Sequence, residues 1–105
     1  MPEIEFPRLV ARVQLSDGRV IEARVLNTDL IRWDRTRAKH GWPTASEAHN
    51  FAATFYAWSA LRREGEIAET VTWEEFSERL CEYVVMDREA GANGVDPTPE
   101  IPGPT

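Results

Sequence analysis

The side chains whose types and spacing make them the first candidates for chemistry are the two histidines, the single cysteine and the carboxylates. His40 and His49 stand without a partner at a metal-ligand interval, and Asn50 and Phe51 follow His49 directly. A zinc or transition-metal site gathers three or four His, Cys or carboxylate ligands, so both histidines read as structural and no metal is expected. His40 falls where a helix should end, a position at which a cation caps carbonyls. Cys81 has Glu82 beside it. A neighbouring carboxylate raises a thiol pKa, so an inert, partly buried cysteine within a helix is expected.

Glu74, Glu78 and Glu82 recur every four residues and would line one helical ridge. A glycosidase-like pair needs one carboxyl in an apolar pocket and another across a cleft. Calcium needs loop carbonyls and a tight oxygen shell. One ridge offers neither, which leaves an acidic docking face or plain solvated surface. Gly18, Gly41 and Gly65 belong to no glycine-rich phosphate loop. The chain is therefore expected to be no enzyme, with no catalytic residue and no cofactor.

Binding chemistry is better represented. Trp33, Trp42, Trp58 and Trp73 fall one to each element or junction. Tryptophan supplies large area to a small core and is also prominent at interface hot spots. Most of the four are expected in the core, with one or two, Trp42 and Trp73 among the candidates, facing a partner. Residues 1–43 carry eight basic and six acidic side chains, a balance of +2, against four and twelve, a balance of −8, in residues 44–105. The basic excess concentrates in Arg32, Arg35, Arg37 and Lys39. Both regions read as solvated helix faces or as steering surfaces. In the second case, Arg32, Arg35, Arg37 and Lys39 of one copy would meet Glu74, Glu78 and Glu82 of the next, a head-to-tail contact that builds a homo-oligomer.

The elements that position these residues read as an α+β domain: an N-terminal β-hairpin followed by three α-helices. Leu9, Ala11, Val13 and Leu15 alternate with Val10, Arg12 and Gln14, the period of a half-buried strand. Asp17-Gly18 then signals a tight turn with two positive-φ residues, and Val20 to Leu26 returns. Asn27-Thr28-Asp29 opens a helix running from about Asp29 to Lys39 that buries Leu30, Trp33 and Ile31, until Gly41 and Pro43 end it. Thr44-Ala45-Ser46-Glu47 is a capping box, and the long helix it opens carries Ala48, Phe51, Ala52, Phe55, Trp58, Ser59 and Arg62 at spacings of three and four, ending at Gly65. Thr72-Trp73-Glu74-Glu75 is a second box, opening a third helix expected to reach about Val85 with Trp73, Phe76, Leu80 and Tyr83 or Val84 as its apolar stripe. Residues 1–89 form one domain. From residue 90 the composition turns to Pro and Gly, as in a flexible tail.

At 105 residues the chain holds one core rather than two. Its net charge of −6 argues against broad binding to nucleic acid. No apolar run approaches the ~18–20 residues of a membrane span, the first residues lack a signal-peptide pattern, and a lone cysteine fits a reducing cytoplasm.

The order of motifs resembles a known family. The Asp17-Gly18 hairpin, the Trp33 helix, the Gly41-Trp42-Pro43 break, the Ala57-Trp58-Ser59-Ala60-Leu61-Arg62-Arg63-Glu64-Gly65 helix end and the Thr72-Trp73-Glu74-Glu75-Phe76 start together resemble tail assembly chaperones of long-tailed bacteriophages, especially those of actinobacteria. The similarity spans about residues 8–88 and includes no catalytic signature. It implies a non-enzymatic role: binding the tape measure protein, keeping it soluble, and giving way as the tail-tube protein polymerises around it. It further implies action in the host cytoplasm and absence from the mature virion. A structural phage component such as a head–tail connector or tail completion protein is the alternative. An acidic DNA-mimic inhibitor fits less well, because the Arg32–Lys39 cluster spoils the imitation.

Overall fold

A computed structural model of the chain describes residues 8–89, and the expected tail from residue 90 lies outside them. Strands β1 (Arg8–Leu15) and β2 (Val20–Val25) form the expected hairpin, in antiparallel register from Leu9 opposite Val25 to Gln14 opposite Val20. The turn is one residue longer than the expected two. Gly18 N–H donates to the Leu15 carbonyl and Leu15 N–H to the Arg19 carbonyl, both at 2.8 Å, which leaves Ser16, Asp17 and Gly18 in the loop. Gly18 takes the left-handed conformation (φ 92°) this geometry demands.

Helix α1 (Asn27–His40) starts two residues earlier than expected. Asp29 is its third residue and accepts the Leu26 N–H at 2.8 Å, satisfying a donor left free at a helix start. Gly41 closes the helix at φ 70°. Trp33 is buried as expected, but Ile31 is 42% exposed because it lies on the solvent side.

The long helix begins later than its capping box. Thr44 N–H donates to Glu47 Oε1 (3.0 Å) and Glu47 N–H to Thr44 Oγ1 (3.3 Å), so the reciprocal bonds form. They close only a single turn, interrupted by the non-helical backbone of Ala48 (φ −144°, ψ 67°), and α2 runs His49–Arg63. Alanines on α2 let it approach closely: Ala52, Ala57 and Ala60 are buried beside Phe55 and Leu61. It packs against α1 and all three strands, which makes it central.

The third helix departs most from expectation. Helix α3 (Trp73–Glu75) passes into a π-helical turn, Phe76–Leu80, and the chain then becomes strand β3 (Cys81–Glu89). Cys81 N–H reaches back to the Phe76 carbonyl, the wide bond that turns the chain out of its helix. β3 pairs antiparallel with β1, giving the sheet order β2-β1-β3. Cys81, Glu82, Tyr83 and Val84 are therefore strand residues, not the end of a helix. The run Tyr83-Val84-Val85 suits a pleated surface better than a helix, because aromatic and β-branched side chains lose rotamer freedom in a helix. The vacant edge of β1 gives it a partner.

The sheet presents Ala11, Val13, Leu15, Ala23 and Val25 to Ala57, Ala60 and Leu61 of α2 and to Phe76. A second cluster, built on Trp33, Ala52 and Phe55, lies between α1 and α2. The opposite sheet face carries Val20, Tyr83 and Val85 at 68, 66 and 44% exposure, while Val10 on the same face is buried.

Candidate partner-binding groove

The tryptophans converge. Thr72 caps α3 by accepting the Glu75 N–H on Oγ1 (3.0 Å), which sets Trp73 on the first turn facing α2. Trp73 stacks on Phe51 with centroids 5.4 Å apart and planes 6° from parallel. It also meets Trp42, Phe55 and Trp58 within 6.1 Å. Trp42 lies between His40 and Phe51, 4.8 Å from each ring. These contacts join the half-buried rings of Trp42, Phe51, Trp58 and Trp73 into an aromatic wall over the buried Phe55.

The loop before α3 is tied down beside that wall. Trp58 Nε1 donates to the Val71 carbonyl at 3.0 Å, and Arg62 Nη2 to the Glu69 carbonyl at 2.8 Å. The Arg62 guanidinium lies 4.6 Å above the Trp58 ring, a cation–π contact. A recess of about 400 Å³ opens among Arg32, Trp42, Trp58, Arg62, Trp73 and Glu74. Past Trp73, a second recess of about 390 Å³ lies over Asn50, Phe51, Thr54 and Ser77. A third, of about 310 Å³, shares Asn50, Thr54 and Ser77 and reaches Tyr83 and Val84. The three recesses lie in a row along α2, with Trp73 between the first two, and this row is the groove; Phe51 and Trp73 are at its middle, and Arg32 and Arg62 stand at one end with Glu69 and Glu74 beside them.

The residues singled out in the sequence divide between groove and scaffold. Trp42 and Trp73 both line the groove, as does Arg32, which also donates to Ser59 Oγ at 3.1 Å. Glu74 sits at its rim. Arg35 and Lys39 are exposed elsewhere on α1. Arg37 turns back to donate to the carbonyls of Trp42 and Pro43 at 2.9–3.2 Å, fixing the turn that carries Trp42. The acidic ridge does not exist as expected: Glu74 is on α3, Glu78 in the π-helical turn and Glu82 on β3. The strand removes the third carboxylate from helical register, so the three do not share one helical ridge.

Two features escaped sequence reasoning. Arg62 is a groove residue whose four-residue spacing from Trp58 was legible. The other is an ion pair between a buried carboxylate and a partly exposed arginine. Asp29, fully buried, accepts from Ser59 Oγ (2.7 Å) and from Arg63 Nη2 (2.8 Å) as well as from its helix start. The Asp29 carboxylate holds the Arg63 pKa above its ordinary value. This pair anchors α1 to the end of α2. No sequence signal marks it, since Asp29 also reads as a simple dipole partner.

Cys81 is half-buried at the start of β3, and burial, reinforced by Glu82, pushes its thiol pKa up. Among the described residues no group of three His, Cys, Asp or Glu side chains could hold a metal ion. No described helix is long and apolar enough to cross a membrane. Comparisons of the chain with protein families, with curated proteins and with solved structures find no match.

Proposed function

We propose that the chain is a non-enzymatic assembly chaperone, in the manner of the phage tail assembly chaperones its motif order resembles. In this reading the groove along α2 receives an amphipathic stretch of the tape measure protein. The observation that carries the reading is the aromatic groove itself. From Asn50 to Arg62 it follows α2 for about 18 Å, the length of roughly three turns of a bound helix. An apolar helix face would lie on Phe51, Trp73 and Trp42, with anchors at intervals of three and four residues. Arg32 and Arg62 at one end would fix its direction by meeting an acidic side chain. Such binding covers apolar client surface without chemistry, and it acts in the host cytoplasm before the tail-tube protein displaces it.

Co-expression with the tape measure protein tests this. The client should move from the insoluble to the soluble fraction and co-purify with the chain, which should be missing from purified virions. A tape measure protein that aggregates equally with and without the chain overturns the reading. Recovery of the chain in finished particles would instead favour a connector.

A further inference from the structure

We infer that β3 is a self-pairing edge, through which two copies of this chain join their sheets about a twofold axis passing by Val85. Sheet edges with unsatisfied backbone groups invite another strand, and proteins usually blunt them with Pro, Lys or a bulge. β3 has neither Pro nor Lys, and its charged residues Glu82, Asp87, Arg88 and Glu89 and its single irregularity, the extra residue Glu82, lie toward its two ends, leaving Tyr83 to Met86 uncharged. No described element pairs with its outer edge. The other edge is less open. β2 has six residues against nine, and its Arg24 carbonyl already accepts Arg63 Nη2 at 2.7 Å.

The occupant is a second copy because the strand is complementary to itself in one register. Antiparallel pairing centred on Val85 sets Tyr83 opposite the other copy's Asp87 and brings Glu82, the bulged residue, beside the other copy's Arg88, twice by symmetry. It also sets Val84 opposite Met86, and Val85 opposite Val85. Centring one residue later puts Arg88 opposite Val84, and one residue earlier puts Glu82 opposite Met86, so both lose the ion pairs. Opposite charges and β-branched pairs across strands are the contacts that stabilise a sheet. Val84 and Met86 lean on the core from the helix side, while Tyr83 and Val85 stand exposed on the opposite face. Pairing would continue both faces into a six-stranded sheet, ordered β2-β1-β3-β3-β1-β2, with all helices on one side. The contact is isologous and closes at two copies. It borders the far recess along α2, which Glu82, Tyr83 and Val84 also line, and it needs no client.

Sedimentation velocity on the full chain tests it. The wild type should show a concentration-dependent species of twice the 12.0 kDa chain mass. Val85→Lys places like charges at the axis and should raise the dissociation constant more than about tenfold. Glu82→Arg and Arg88→Glu should each weaken the dimer as strongly, and the double exchange should restore it. That restoration separates lost pairing from lost folding, since a misfolded single variant would not be rescued. A wild type that stays monomeric up to its solubility limit overturns the inference. So does a dimer indifferent to Val85→Lys and to both single exchanges.

Discussion

At the scale of single residues, Asp29 is the most consequential side chain outside the apolar core. It is fully buried, and its charge is met by Arg63, Ser59 and the Leu26 N–H. Removing the partner of a buried charge costs more than the pair contributes, because the remaining charge stays desolvated. Arg63→Met should therefore lower the unfolding free energy by about 3 kcal/mol, and Ser59→Ala by about 1 kcal/mol, both read from urea denaturation. Two titrating groups have opposite signs. The Thr44 N–H bond holds the Glu47 carboxyl below its ordinary 4.5. Its stabilisation is complete above that value and disappears as pH falls through the lower folded pKa, so Glu47→Gln should flatten the acid limb of the stability profile. Cys81 is raised by burial. Its contribution is present below the unfolded thiol pKa and is lost as pH rises through the folded one. Alkylation by iodoacetamide at pH 8 should be slower in the native protein than in urea. Equal rates would show that the thiol is not shielded.

At the scale of elements, the passage from π-helical turn to β3 sets the architecture. In β3, Val84 leans on the core and Val85 points to solvent, whereas a helix through Val85 would not impose that alternation. Val84→Lys should cost about 2 kcal/mol or more, because a charge would enter the core side, while Val85→Lys in dilute protein should be nearly neutral. Urea midpoints compare the two, and equal losses would argue against the strand. The hairpin, α1 and the Gly41 stop were legible in the sequence because period-two alternation, Asp17-Gly18 and a left-handed glycine are local signals. The start of α2 was not. The Thr44–Glu47 bonds are satisfied within four residues and do not report whether a helix continues beyond them. β3 was hidden for a different reason. Tyr83 and Val84 fall at helical spacing from Phe76 and Leu80, and what selects the strand is the edge of β1, some seventy residues earlier. Of the candidate site, Trp42, Trp73 and Arg32 were legible, but their convergence with Arg62 is tertiary.

At the scale of the whole molecule, two layers divide the work. The sheet and the inner face of α2 make the core, and the helical layer spends its aromatic residues on a groove rather than on further burial. The four tryptophans divide the same way: Trp33 packs between α1 and α2, while Trp42, Trp58 and Trp73 line the recesses. The central claim is that this groove grips another polypeptide. Its most direct measurement is a titration of the purified chain with overlapping tape measure segments, followed by intrinsic tryptophan fluorescence. Saturable binding by an amphipathic segment is predicted, with a fluorescence change, and with affinity reduced more than about tenfold by Asn50→Trp, a bulky change at an exposed groove position. Binding that Asn50→Trp leaves unchanged, or no binding by any segment, would contradict it.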